Sequence, residues 1–228
     1  MNLWFVNDSS NAGQVIVAQS FSNLGSGTTG GNSQLAWLQT GANQGVSVNF
    51  QWSIDDDFVW FASQGATSSQ QVLATSSTED VVTLSFDSRG FKFQQVTDVS
   101  REATSLQVQQ DGSIPNPSNC RVGIGMSGAG TFAQAAQPNI DLAFEVVSTA
   151  NYAIAFGNWT VATNDTLPAV VVDSLTEFTF ATGYTTMTAT LSTQNTFTIT
   201  PGPPPESAAE SKRPTVVYRA GVGVVSSS

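Results

Sequence analysis

The acidic triplet Asp55–Asp57 stands among aromatic residues, and it is the part of the sequence best placed to do chemistry. If residues 50–61 form one strand, Asp56 lies on the same face as three large rings, because side chains alternate between the two faces of a strand. Those rings are Trp52, Phe58 and Trp60. Burial raises the pKa of a carboxyl group, and a neutral acid can protonate an alkene or a carbonyl while ring faces stabilise the developing cation. Asp55 and Asp56 are therefore the candidate catalytic acids, and the three rings are candidate ligand-binding residues.

Two other interpretations of the triplet stay open. Asp is depleted in strands and enriched in turns, which favours a solvated hairpin turn at Asp55–Asp57 between strands at 46–54 and 58–62. A calcium site is the third interpretation, because carboxylates are calcium ligands, but the EF-hand spacing with Gly at the sixth position is absent. We expect no metal site.

Two more tryptophans are candidates for ligand binding. Trp37 and Trp159 could contribute to a stacking surface for sugar rings or aromatic ligands, although buried Trp mostly fills cores. Asn158 and Asn164 lie close to Trp159 in the sequence and have the polar side chains that a sugar site needs. The tryptophans therefore permit either a pocket or a core.

The segment Gly123–Gly128 matches the dinucleotide-binding fingerprint literally. No alternating strands and helices surround it, so we interpret its glycines as parts of strands and turns. A glycine within a strand can also let a ligand approach the backbone closely, which makes Gly125 a candidate pocket residue.

Composition excludes several classes of function. The chain of 228 residues has no His, which removes the commonest general base and the commonest metal ligand. Acidic residues outnumber basic ones 17 to 7, so we expect no nucleic-acid partner, because phosphate binding needs clustered Lys and Arg. The single cysteine, Cys120, excludes an internal disulfide. We expect a protein without a cofactor.

No window of 18 apolar residues could form a spanning helix, and residues 1–7 lack the basic start of a secretion leader. We therefore expect no membrane span and a cytoplasmic location. Secretion stays open, since a mature secreted form would look the same.

The apolar runs are short, numerous and separated by loops rich in Gly, Asn and Ser, such as residues 25–33 and 111–119. Several runs alternate apolar with polar residues, among them Phe91–Phe93 and Phe178–Phe180, and this period of two is typical of strands with one wet face. The pattern predicts an all-β fold with almost no helix, built as one β-sandwich or as two packed sandwiches.

The chain is expected to have three parts. Residues 1–200 form the β-sandwich domain, and residues 201–214 are a Pro-rich linker, which favours an extended spacer. Residues 215–228 are a C-terminal strand or tail that pairs with its own sheet or with the edge of a neighbour. Edge strands or this tail could thus join copies of the chain into a homo-oligomer.

Several stretches within the first 160 residues together carry a family resemblance. They are Leu3–Asn7 with Ser9 and Ser10, Leu35–Trp37, Val48, Phe50, Trp52, Ile54 and Asp55, Phe58–Trp60, Val122–Gly128, Gly130–Phe132 and Gln137–Asn139. On these residues the chain resembles the RhiA-type proteins, named for a rhizosphere-expressed bacterial protein. The resemblance implies a soluble β protein with no known cofactor and implies little about activity. Asp56 stands where the resemblance leads us to expect an aromatic residue.

Two functions follow as hypotheses. In the first, a β-sandwich pocket binds an apolar or aromatic small molecule, and in its sharper form the protein is a cofactor-free cyclase or isomerase of secondary metabolism with Asp55 or Asp56 as general acid. In the second, the protein is a non-catalytic, lectin-like or structural binding protein. A closed aromatic pocket around a carboxyl group supports the first hypothesis, and a flat exposed aromatic face supports the second.

Overall fold

The computed structural model describes residues 1–64, 67–75, 80–95, 105–146, 150–205, 215–219 and 223–226. Strands account for 54% of the chain and helix for 4%, so the expected all-β, sandwich-like fold is confirmed. Helical structure in these ranges consists of one short helix, α1 (Ala169–Val172), and a 3-10 turn at Phe21–Asn23. None of the described helical segments is long and apolar enough to cross a membrane.

The strands of the described residues are numbered in chain order. In chain order they are β1 (Asn2–Asn7), β2 (Gly13–Gln19), β3 (Ser33–Gln34), β4 (Leu38–Ala42), β5 (Ser47–Gln51), β6 (Asp56–Gln64), β7 (Thr67–Ala74), β8 (Val81–Asp87), β9 (Gly90–Gln95), β10 (Leu106–Gln110), β11 (Cys120–Met126), β12 (Ala129–Ala135), β13 (Leu142–Phe144), β14 (Asn151–Gly157), β15 (Thr176–Thr179), β16 (Thr186–Leu191), β17 (Phe197–Pro201), β18 (Thr215–Arg219) and β19 (Gly223–Ser226).

Internal contacts divide the chain into two compact units. The first unit comprises Met1–Ser20, Ala36–Ile54 and Asn151–Ser228, and the second comprises Phe21–Leu35 and Asp55–Ala150. Each unit therefore combines segments that are far apart in sequence. The sequence-based boundary of a single domain over residues 1–200 stays a prediction.

The first unit contains two sheets. One has the strand order β17-β16-β1-β5-β18-β19, with β1 parallel to β16 and antiparallel to β5, and the other has the order β15-β14-β2-β4. Residues 15–19 of β2 are buried without alternation, which shows that both faces of this strand are covered. On one of those faces Ile16 and Ala18 pack in a cluster with Val171 of α1 and with Leu167, which precedes that helix.

The second unit is also built from two sheets, of order β13-β10-β8-β9 and β3-β12-β11-β6-β7. Its core draws side chains from both sheets, as a sandwich requires. They include Phe58, Leu84, Phe93, Leu106, Val122, Ile124, Phe132 and Phe144. Apolar residues at alternate positions of these strands supply that core, as their period of two predicts.

The described part of the tail pairs with the sheet of its own chain. β18 runs parallel to β5, with Thr215 opposite Ser47, and β19 pairs with β18. Residues 206–214 of the predicted linker lie outside the described residues. Residues 215–219 and 223–226 are thus strands, and the division of residues 201–228 into a linker and a tail stays a prediction.

Candidate functional site

The segment 50–61 is not one strand. β5 ends at Gln51, β6 begins at Asp56, and the two strands belong to different sheets. The one-strand interpretation of the acidic triplet is therefore wrong, and so is the hairpin-turn interpretation, because a hairpin would pair β5 with β6. The break has a physical reason: Trp52 is buried in an aromatic cluster of the first unit, and the chain leaves that sheet directly after it.

The triplet lies beside the hairpin turn that joins β11 to β12. Ser127 and Gly128 occupy the two central positions of this turn with φ angles of 55° and 86°, the positive values that a two-residue type I′ hairpin requires. The backbone N–H of Gly128 donates to the Asp57 carboxylate at 2.6 Å, and the N–H of Ser127 donates to the carbonyl of Asp55 at 3.2 Å. The residues that match the dinucleotide fingerprint are thus a strand and a hairpin turn, as their context indicated.

The three carboxyl groups differ in environment. Asp55 is exposed, Asp56 is half-buried and Asp57 is buried. Burial, and then the neighbouring charges of Asp57 and Asp55, raise the pKa of Asp56 to about 6. Burial also raises the pKa of Asp57, and the hydrogen bond from Gly128 opposes that rise. A raised pKa was expected from an aromatic wall, and it arises here from burial at the start of β6.

Phe58 and Trp60 belong to the core of the second unit. Phe58 is 1% exposed and Trp60 is 6% exposed. Their ring centroids lie 6.3 Å from Phe93 and 5.8 Å from Phe91, respectively. Trp60 Nε1 donates to Gln71 Oε1 at 3.0 Å. These contacts account for both rings, and a ligand-binding role for them stays a prediction.

Trp37 and Trp52 pack together in the first unit, where their ring centroids are 5.2 Å apart in an edge-to-face arrangement. Tyr152 stacks on Trp37 at 6.0 Å, and Trp52 Nε1 donates to the Tyr152 hydroxyl at 3.4 Å. The cluster fills the interior of this unit. Trp37 and Trp52 are thus core residues, and their ligand-binding role also stays a prediction.

Gly125 has a structural explanation. A Cβ atom at this position would lie 2.2 Å from the carbonyl oxygen of Ala129 and 3.0 Å from Val59 Cγ1. The pairing of β11 with β12 shifts register between Ile124 and Gly125. The backbone that approaches Gly125 closely is therefore that of β12, and the proposed approach of a ligand is untested.

Trp159 lies in the first unit beside the cluster around Ile16. Its ring covers Gly157, where an added Cβ would lie 2.5 Å from the indole. Its Nε1 is buried and has no hydrogen-bond partner among the described residues. The half-buried Trp159 therefore packs against the first unit, whereas the side chain of its neighbour Asn158 is exposed.

A concave feature with convergent polar groups lies elsewhere, at one end of the first unit. It is a cleft of about 620 Å³, hereafter the amide cleft. Loops and strand ends of both sheets surround it. Its lining residues are Asn11, Ala12, Phe156, Gly157, Asn158, Ser174, Thr176, Leu191, Asn195, Thr196 and Phe197.

A buried asparagine holds the first loop of the cleft in place. Asn7 is fully buried, and its Nδ2 donates to the carbonyls of Asn11 at 2.9 Å and of Ala42 at 3.3 Å. Its Oδ1 accepts from the backbone N–H and the hydroxyl of Ser9. Ser9 Oγ in turn accepts from the N–H of Asn11. Every polar atom of the Asn7 side chain is satisfied, so the loop is pre-organised.

A second loop, between β16 and β17, is held by Ser192. The Ser192 hydroxyl accepts from the backbone N–H groups of Gln194 and Thr196, both at 3.2 Å. Asn195 adopts the left-handed conformation with φ 58°, which Asn tolerates better than most residues. Its Oδ1 accepts from Asn11 Nδ2 at 2.8 Å, so the two loops meet at the rim of the cleft.

Aromatic rings form the apolar part of the cleft. Phe156 and Phe197 line it, and both contact the buried ring of Phe5, at centroid distances of 5.5 Å and 6.2 Å. Phe156 and Phe197 are half-buried, so each keeps surface that faces the cleft. The cleft thus combines apolar ring surface with amide and hydroxyl groups, and none of the described residues that line it is charged.

Sequence reasoning found one edge of this cleft and missed the rest. Asn158 was singled out as a polar neighbour of Trp159. Asn11 and Asn195 are 184 residues apart, and only their pairing in space brings them together. Two sequence signals were available. One was the polar segment Asn7–Asn11, and the other was Asn195, which stands between two runs of alternating apolar and polar residues.

The described residues form a β protein of two units with two sheets each, and the amide cleft is an open polar site built on loops and strand ends of the first unit. Residues 1–202 match the model of the RhiA family, so the chain belongs to this family. A search of curated proteins and a search of solved structures found no match. The family resemblance proposed from the sequence is confirmed.

Proposed function

We propose that this protein is a lectin-like binding protein that holds a neutral carbohydrate in the amide cleft. The observation that carries the proposal is the hydrogen-bonded pair of Asn11 and Asn195, which lines the same cleft as Phe156 and Phe197. Amide side chains offer both donors and acceptors, which suits ligands dense in hydroxyl groups. Aromatic faces suit the apolar C–H faces of sugar rings.

Charge supports a neutral ligand. Among the described residues that line the cleft there is no Lys or Arg, so an anionic ligand finds no cationic partner there. No Asp or Glu is found among the lining residues that the structure describes, so these residues give a cation no ion-pair partner. The volume falls in the range of small-ligand sites, roughly 300–1,000 Å³. A short segment of a neutral glycan meets these conditions.

The direct test is a glycan array followed by calorimetric titration of the glycans that bind. Asn158→Ala and Asn195→Gly each remove one amide from the cleft, and Gly retains the left-handed conformation at position 195. We expect each variant to weaken binding about 5- to 30-fold, because a hydrogen bond to a neutral partner contributes roughly 1–2 kcal/mol when its loss leaves a group unpaired.

Gln194→Ala is the matched control. Gln194 lies in the same loop as Asn195, is exposed and does not line the cleft. Binding should be unchanged in this variant. An array that shows only charged glycans, or affinities equal in all three variants and wild type, would contradict the proposal.

A second candidate function rests on the raised pKa of Asp56. In this proposal Asp56 donates a proton to an apolar or aromatic small molecule, as in a cofactor-free cyclase or isomerase, and Asp55 and Asp57 tune its acidity. Asp56→Asn should abolish turnover and leave ligand binding intact. Turnover that survives this substitution would remove Asp56 as the acid.

One prediction about partners and one about location remain proposals. A homo-oligomer through edge strands or the C-terminal tail would give a mass above 23.9 kDa in light scattering, whereas a constant monomer mass contradicts it. The cytoplasmic location is tested by cell fractionation, with recovery in the medium as the opposite outcome.

A further inference from the structure

A second concave site lies in the second unit and is separate from the amide cleft. It is a hollow of about 350 Å³ between the β8–β9 turn and the loop before β11, hereafter the Phe86 hollow. Its lining includes Phe86, Arg89, Phe91, Pro115 and Pro117, with Ala62 of β6. These lining residues differ from those of the amide cleft, because they combine aromatic and proline side chains with the positively charged Arg89.

The aromatic side of the hollow is an exposed ring with buried support. The centroids of Phe86 and Phe91 are 4.7 Å apart, and Phe91 contacts Trp60 at 5.8 Å. Phe91 is 9% exposed, whereas Phe86 is 36% exposed. Phe86 is thus a large apolar side chain held in position by a packed neighbour, with a face still open to a ligand.

The loop opposite the rings is fixed to β8. Ser113 Oγ accepts from the backbone N–H of Phe86 at 2.7 Å, and the backbone N–H of Ser113 donates to Asp111 Oδ1 at 2.9 Å. The N–H of Asp111 donates to the carbonyl of Leu84 at 3.2 Å. Pro115 and Pro117, on this loop, therefore form a wall that is already in place before a ligand arrives.

Arg89 supplies the charge. It lies in the β8–β9 turn, is exposed, and forms no ion pair within the described part of the chain. The nearest acidic group in the turn, Asp87, is already engaged by Lys92 Nζ at 2.7 Å and by the N–H of Arg89 at 2.8 Å. The Lys92 charge offsets that of Asp87, which leaves the Arg89 guanidinium to face an incoming anion.

We propose that the Phe86 hollow binds a small aromatic carboxylate, with its ring between Phe86 and the two prolines and its carboxylate on the Arg89 guanidinium. Offset stacking suits the exposed Phe86 ring, and the planar guanidinium matches a carboxylate through two parallel hydrogen bonds. At physiological ionic strength, charges more than about 8 Å away are largely screened, so the acidic net charge of the chain acts weakly on a ligand at this site.

The test compares phenylacetate with phenylacetamide, which has nearly the same shape without the charge. Titration of the full chain followed by NMR should show phenylacetate binding at least 5-fold more tightly than the amide. Arg89→Gln should weaken phenylacetate binding at least 5-fold and bring the two affinities together. Phe86→Ala should weaken both ligands.

Arg121→Gln is the charge-matched control, because Arg121 belongs to the same unit but does not line the hollow and lies over the ring of Phe61. Phenylacetate affinity should stay within 2-fold of wild type in this variant. Arg89 is exposed, so its variant should unfold at the wild-type temperature, which is checked by circular dichroism. Absence of phenylacetate binding at millimolar concentration, or an equal loss in Arg89→Gln and Arg121→Gln, would overturn the proposal.

Discussion

Asn11 and Asn195 join two loops of the first unit through a hydrogen bond of 2.8 Å from Nδ2 to Oδ1. The buried Asn7 places the first loop, and Ser192 places the second. The amide cleft therefore depends on side-chain hydrogen bonds within loops as much as on the sheets that carry them. This dependence separates residues that build the cleft from residues that would touch a ligand.

Asn7→Ala should destabilise the protein by about 2–4 kcal/mol, because it leaves several buried donors and acceptors without partners. Urea unfolding followed by tryptophan fluorescence measures the loss. Asn158→Ala, at an exposed position, is the control and should change stability by less than about 0.5 kcal/mol. Equal stability of the two variants would show that the hydrogen bonds of Asn7 do not contribute to the free energy of unfolding.

Asp56→Asn should stabilise the protein at pH 7. The pKa of Asp56 is raised from its ordinary value of 3.8 to about 6 in the folded state, so the folded state binds the proton more tightly than the unfolded state. Stability from this group is therefore present below pH 4 and is lost as the pH rises through 6. We expect a gain of roughly 1–2 kcal/mol at pH 7, below the full linkage value because Asp56 is partly exposed.

The measurement is the difference in unfolding free energy between Asp56→Asn and wild type at pH 4, 5, 6 and 7. That difference should grow with pH. The other carboxyl groups titrate in both proteins, so the pH dependence of the difference reports on Asp56. A difference that does not depend on pH would refute the raised pKa.

Gly125→Ala should destabilise the protein by roughly 3 kcal/mol or more, because the new methyl group would overlap the backbone of β12. Gly41→Ala is the matched substitution in β4, where nothing lies within 4 Å of the added atom. It should be neutral or slightly stabilising. The melting temperatures of both variants, measured by thermal unfolding, test this expectation. Similar melting temperatures would argue that β12 can move away from Gly125.

Cys120 should resist alkylation in the folded protein. Its side chain is buried, and burial raises the pKa of its thiol to about 12, so the reactive thiolate is scarce at pH 8. Iodoacetamide labelling followed by mass spectrometry should be slow in buffer and complete in 6 M guanidinium. Fast labelling of the native protein would show that the β11 end opens readily.

The all-β class could be predicted because it depends on local pattern. Phe178–Phe180 alternates apolar and polar residues, and Phe178 is indeed buried in β15 while its neighbours are exposed. The same reasoning failed at Gln51–Asp56. A run of alternating residues cannot show that the chain leaves one sheet and enters another, because that change is decided by which partner strands are available.

The sequence by itself determined the strand-rich fold class, the absence of histidine chemistry and the family, because these follow from residue types and near-neighbour spacing. The tertiary structure alone decided that Asp56 is half-buried at the start of a strand and that Asn11 meets Asn195. Both facts depend on contacts between residues far apart in the chain, and such contacts are set by sheet pairing and loop hydrogen bonds, for which neighbouring residues leave no periodic signal.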